Sequence, residues 1–191
     1  GGDNLLVLCD VELTDFSPHP TNTRADCAAA AARYADQEPM FGIEQEYTFF
    51  KHGAPLGWPE QGYPAPQGPY YCGVGGAKMV GREIIEEHTQ ACMDAGLSIE
   101  GTNAEVMMGQ WEFQIGVLPP PAIGDQIWLA RWLLYRVAEP YQVTVSLDAK
   151  PMPGDWNGAG AHTNFSTKDM REGYDAIVIA DNYIELLDQG V

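Results

Sequence analysis

Asn103-Ala-Glu-Val-Met-Met-Gly-Gln-Trp-Glu-Phe-Gln-Ile115 reads as a β-hairpin with Met108-Gly109 at its turn. Pairing around that turn sets Glu105 directly opposite Glu112. The pattern agrees on both arms. Ala104, Val106, Met108, Trp111, Phe113 and Ile115 share one face, and Asn103, Glu105, Gln110, Glu112 and Gln114 share the other. Like charges placed directly opposite, ~5 Å apart, destabilise a sheet. Either one carboxyl is protonated or a cation lies between them. Two exposed glutamates near a turn are the plainer alternative, but the two-sided pattern favours a metal site.

A second strand points the same way. In Met40–Phe50 (MFGIEQEYTFF), Glu44 and Glu46 fall on one face, roughly 6–7 Å apart, while Ile43, Gln45, Tyr47 and Phe49 fall on the other. Taken alone, this pair reads as a solvated strand face. A third strand, Ala161–Thr167 (AHTNFST), aligns His162, Asn164 and Ser166. It follows Asn157-Gly-Ala-Gly160, whose small residues let a backbone approach a ligand closely. Carboxylates with one imidazole suit Mg²⁺ or Mn²⁺ better than zinc.

Around these strands the periodicity predicts helices over about 21–37 (Ala-rich, Thr/Asn-capped), 77–94, 124–139 and near 174–188. Further strands are expected over Asn4–Leu13, Ser98–Met107, Gln110–Leu118 and Tyr141–Leu147. The Trp128/Trp132/Tyr135 stripe has helical spacing and is expected in the core. Residues 52–76, rich in Pro, Gly and aromatics, are too apolar for a free linker and are read as an ordered excursion that rims a site. Mixed strands and helices, with neighbouring strands antiparallel, give an α+β class.

The chain has 191 residues and a formal net charge of −17, from 10 Lys+Arg against 27 Asp+Glu, so its mean field repels nucleic acid and anionic membranes. Phosphate could be handled only through local cations or bound metal. No apolar run reaches the ~20 residues of a spanning helix. Four scattered cysteines without a C-x-x-C pair point to a reducing cytoplasm. Gly73–Lys78 lacks the spacing of a phosphate-binding loop, and no serine sits in a nucleophile elbow. Arg82–Glu87 reads as a solvated helix face.

The stretches FGIEQEYT (41–48), GWPEQGYPAPQGPYYCGVG (57–75), GTNAEVMMGQWEFQIG (101–116) and WNGAGAHTNFSTKDMR (156–171) resemble glutamine synthetase, in the branch shared by eukaryotes and some bacteria. The resemblance covers nearly the whole chain. It implies ATP-dependent ligation of ammonia to L-glutamate through a γ-glutamyl phosphate. It further implies that Glu46, Glu105 and Glu112 hold one Mg²⁺ or Mn²⁺, and Glu44 with His162 a second. Asn157, Gly158 and Trp156 would lie at the glutamate, and Phe113, Asn164, Phe165 and Ser166 at the nucleotide. Tyr71 would stand near the ammonium, and Glu112 is also expected among the catalytic groups. Two dications would offset the charge of ATP and glutamate and polarise the transferring phosphoryl group.

On this resemblance the fold is a largely antiparallel, curved sheet flanked by helices. Residues 1–18 would close a small N-terminal β-domain, and 19–191 would form the first part of the catalytic domain. The family's third ligand to the second metal, its phosphate-clamping arginines and its ammonium-deprotonating Asp would lie outside 191 residues, which marks a central piece inactive by itself. The full-length protein is expected to be cytoplasmic and to form homo-oligomeric rings, expected to be decamers, with sites shared between subunits. A glutamate–amine or polyamine ligase of the same family, and a non-catalytic scaffold, remain as alternatives.

Overall fold

The computed structural model describes residues 4–173. Helix α1 (Thr23–Arg33) leads into strand β1 (Met40–Lys51), with a short β2 (Ala54–Pro55) folded back on its end. After a long irregular segment come helix α2 (Arg82–Asp94), β3 (Ile99–Ala104), β4 (Gln110–Leu118) and helix α3 (Ala122–Ala138). Strands β5 (Thr144–Ser146) and β6 (Ala161–Ser166) and a single helical turn, α4 (Lys168–Arg171), complete the described chain.

The sheet is built around β1. All pairings are antiparallel: β4 along Phe41–Thr48, β6 along Met40–Gln45, β5 along Thr48–Phe50, and β2 at Phe50 and Lys51. Strand β3 extends the sheet beyond β4. Glu44 therefore faces Gln114 on one neighbour and His162 on the other.

One face of this sheet is apolar. Tyr47, Phe49 and Phe113 are wholly buried, as Trp111 and Ile115 nearly are, and they pack on Ile84, Ile85 and Cys92 of α2 and Ile127, Ala130 and Leu134 of α3. Burial of aliphatic and aromatic side chains at 1.5–3 kcal/mol each, roughly, makes this two-layer core the main stabilising element. The opposite face carries the glutamates, which is why their alternation with apolar residues was readable.

Four expectations need correction. The hairpin register is shifted by two: Asn103 pairs with Glu112 and Ala104 with Trp111, because residues 105–109 form a wider loop than a two-residue turn. Met107, not Val106 or Met108, enters the core from that loop. Residues 4–11 form no strand, and Leu5, Val7 and Val11 are exposed, with a single Glu12–Pro18 bridge beyond them. The Trp128/Trp132/Tyr135 stripe is not core: these side chains are 62, 46 and 44% exposed. Helix α3 carries two apolar stripes one residue apart, and Ile127, Ala130, Leu134 and Val137 take the sheet side.

The Ala-rich helix forms as expected, capped by the Asn22 side chain accepting from the Ala25 N–H, yet none of its residues is buried. Arg24 ties it to Asp125 of α3. The helix expected near 174–188 lies outside the described residues. Among the described residues no helix is long and apolar enough to cross a membrane.

Candidate metal centre

Strand β1 places Glu46 directly across from Glu112 of β4, so the opposed like charges foreseen for Glu105 and Glu112 occur between Glu46 and Glu112 instead. Glu105 joins them from the start of the hairpin loop. The three carboxylates bring oxygens within 4.8 Å of one another, and among the described residues no other group of three or more metal-ligating side chains forms. Glu105 and Glu112 are each only 6% exposed.

Three acidic groups so close, two of them buried, cannot all remain charged without compensation. Burial, then the charges of Glu46 and Glu112, pushes the Glu105 carboxyl up, against the pull of the Val106 N–H. Burial is also the first cause of the rise at Glu112, with Glu44 and Glu46 adding to it while Gln114 and His162 oppose it. The donors are all hard oxygens, in a pocket of concentrated negative charge. That set fits a hard divalent cation such as Mg²⁺ or Mn²⁺ rather than a thiolate- or imidazole-seeking ion.

Side-chain amides frame the carboxylates. Gln114 Nε2 donates to both Glu112 and Asn103 Oδ1, the latter at 2.7 Å, and Asn103 Nδ2 reaches Glu105 at 3.4 Å. The Glu105 carboxylate also accepts from the Val106 N–H at 3.0 Å. Glu46 accepts from the Gly160 N–H. Glu44 accepts from Asn164 Nδ2 at 2.6 Å and stands opposite His162 in the β1–β6 ladder. Glu44 and His162 are thus neighbours beside the triad, and among the described residues they form no three-ligand group of their own.

The loop before β6 lies against this centre. Gln45, buried beneath the sheet and gripped by Arg131 of α3, donates to the Glu46 and Gly160 carbonyls. Gln67 accepts the Asn157 N–H at 2.7 Å, and Gln110 donates to the Gly158 carbonyl at 2.7 Å. A Cβ on Gly158 would stand 3.0 Å from the Ala149 carbonyl oxygen, so close packing holds a glycine there. Trp156 stacks with Tyr63 at 5.8 Å and meets Trp58 at 4.7 Å, which clasps the 52–76 excursion to the same loop. That excursion is ordered, as expected: Trp58 Nε1 donates to the Met108 carbonyl and Tyr70 is buried.

The remaining expected site residues divide. Tyr71 is 55% exposed, and its hydroxyl titrates above the usual phenol range through the neighbouring Cys72 and then Glu105. Asn164 and Ser166 sit on exposed or half-exposed β6, where Phe165 meets Phe41 at 5.0 Å. Phe113 is a correction. Its ring is wholly buried between Tyr47 and His88, on the face away from Glu112, so the side chain has no surface to offer a nucleotide. Gln45, Gln67 and Arg131 were not foreseen. Gln110 and Gln114 were already legible on the glutamate face, but their partners depend on the tertiary fold.

Comparison with known proteins follows the same outline. The family described as glutamine synthetase, catalytic domain, matches residues 22–185. A glutamine synthetase of Frankia alni is 79% identical over 178 residues, covering 93% of this chain and 50% of that protein. One of Streptomyces hygroscopicus is 65% identical over 181 residues, covering 94% of this chain and 53% of that protein. More distant matches bear both cytoplasmic and mitochondrial names, which leaves the compartment unfixed. A crystal structure of a novel glutamine synthase homolog shares the fold, with a TM-score of 0.65 at 22% identity over 83% of this chain and 34% of that one. The chain spans about half the length of the curated relatives it matches.

Proposed function

Given that the chain belongs to the glutamine synthetase family, we propose that the full-length protein ligates ammonia to L-glutamate with ATP, through a γ-glutamyl phosphate. The stretch between Phe41 and Ser166 would supply the cation-binding side of that site. The observation that carries this reading is the triad of Glu46, Glu105 and Glu112, with oxygens inside 4.8 Å and two members buried. A carboxylate cluster of that density is costly unless a cation joins it, and Mg²⁺- or Mn²⁺-dependent phosphoryl transfer is a chemistry that needs one.

In this reading Glu46, Glu105 and Glu112 hold one divalent ion, and Glu44 with His162 hold a second together with groups outside the described residues. When bound, such ions draw charge from the phosphoryl oxygens of ATP. Asn157, Gly158 and Trp156 form the glutamate side, fixed by Gln67 and Gln110. Asn164, Ser166 and the backbone at Phe165 border the nucleotide. Tyr71, kept as a neutral phenol, stands near the ammonium. The full-length protein is read as a cytoplasmic homo-oligomeric ring of decameric size with sites shared between subunits, preceded by an N-terminal β-domain of which residues 1–18 are the end.

The test is an assay of full-length protein with Mg²⁺ for ADP release that requires both glutamate and ammonium. Glu112→Ala should abolish turnover. Unchanged turnover in that variant would remove the metal assignment, and release that needs a polyamine in place of ammonium would move the reaction to another amine acceptor.

A further inference from the structure

We propose that Gln110 is a positioning residue for the substrate side of this centre, holding Asn157 and Gly158 in a single arrangement. The proposal rests on the glutamate-binding role given to those two residues above. Gln110 opens β4, two residues before Glu112, and is 1% exposed. Both ends of its amide are spent on one loop. Nε2 donates to the Gly158 carbonyl at 2.7 Å, and Oε1 accepts from Asn157 Nδ2 at 2.9 Å.

The direction of each bond follows from the chemistry of the partners. A backbone carbonyl can only accept, so Nε2 must face Gly158. Oε1 must then face Asn157, and Asn157 must turn its amino end inward to meet it. Its oxygen Oδ1 is left as the end offered to a ligand. One buried amide therefore sets which end of Asn157 a ligand meets, and it also fixes the carbonyl of the next residue. The adjoining Asn157 N–H is held separately by Gln67. Without Gln110, Asn157 could present either end, and part of the loop's binding energy would go to selecting one.

The experiment uses full-length protein and reads KM for glutamate, KM for ATP and kcat. Gln110→Met keeps the volume and removes both bonds. KM for glutamate should rise about tenfold, the scale of a lost hydrogen-bonded arrangement, while KM for ATP stays within about twofold. Asn157→Ala should also raise KM for glutamate. The double variant should show a rise clearly smaller than the product of the two, because Gln110 acts through Asn157. Multiplicative effects, or parallel rises in both KM values, would overturn the proposal.

Asn157→Asp makes the same test from a half-exposed loop residue. An aspartate keeps an outward acceptor but sets a carboxylate against Gln110 Oε1, so KM for glutamate should again rise about tenfold. A wild-type KM in that variant would show that the Gln110 contact is immaterial. Wild-type protein that forms no glutamine from ammonium would defeat the functional reading itself, a result distinct from either of these.

Discussion

Replacing Glu112 by Gln should make the cation-free protein more stable and the cation-loaded protein less so. Three carboxylates with oxygens within 4.8 Å repel pairwise by about 3–4 kcal/mol at an effective dielectric constant of ~20, and neutralising Glu112 removes two of the three pairs. Protonation limits what can be recovered. At pH 7.5 a glutamate about three pH units above its ordinary pKa can be neutralised for about 4 kcal/mol, so no charge in the cluster costs more than that. A gain of about 1–4 kcal/mol without cation is therefore expected for Glu112→Gln, whose Oε1 can still accept from Gln114 Nε2. The same variant replaces one of three charged ligands by a neutral, weaker amide oxygen, so the rise in melting temperature on adding Mn²⁺ should shrink to a small fraction of the wild-type rise. Thermal melts of wild type and variant in chelator and in Mn²⁺ give all four values. A cation-free variant less stable than wild type, or an undiminished Mn²⁺ response, would refute the reasoning that this triad is strained for want of a cation.

Two further outcomes follow from backbone and core. Gly109→Ala should destabilise by about 2–3 kcal/mol in urea titration, because φ is +85° and a Cβ would lie 2.6 Å from the Leu56 carbonyl oxygen. His88 is wholly buried, with Nε2 on the Ala130 carbonyl at 2.9 Å and Nδ1 without a partner, and burial lowers its pKa below the ordinary 6.5. The unfolded chain therefore binds the proton first. This contribution is present above pH 6.5 and is lost as pH falls below it, while the raised carboxyls of Glu105 and Glu112 act in the opposite sense. The test is therefore the difference between variants: from pH 7 towards pH 5 His88→Leu should lose less melting temperature, or gain more, than wild type.

The glutamate-bearing face was legible because strand periodicity of two is strict, and a shift of register by two preserves it. That is why the predicted faces of β3 and β4 survived while the predicted partner of Glu112 did not. The width of the turn depends on Gly109 meeting Leu56, a contact 53 positions away that no local pattern encodes. Helix α3 failed differently: Ile127 and Trp128 begin competing stripes, and composition alone does not choose between them. The site's amide frame escaped for a third reason. Gln45, Gln67 and Gln110 come from separate segments and acquire meaning only where they converge on residues 155–160.

That convergence has a consequence for how the protein tolerates changing conditions. The amides that fasten the 155–160 loop, Gln45, Gln67 and Gln110, are uncharged at every ordinary pH, although they lie beside the carboxylate triad. They share the loop with two charged ties, Lys150 at the Trp156 carbonyl and Glu46 at the Gly160 N–H. A lysine or arginine in their place would draw the carboxylates toward itself and compete with any incoming ion. An aspartate would have loosened with each change in proton occupancy. Amides do neither. The seat of Asn157 and Gly158, held by Gln67 and Gln110, can thus stay constant while the neighbouring acids gain and lose protons or ions, which separates the geometry of recognition there from the electrostatic state of the chemistry beside it.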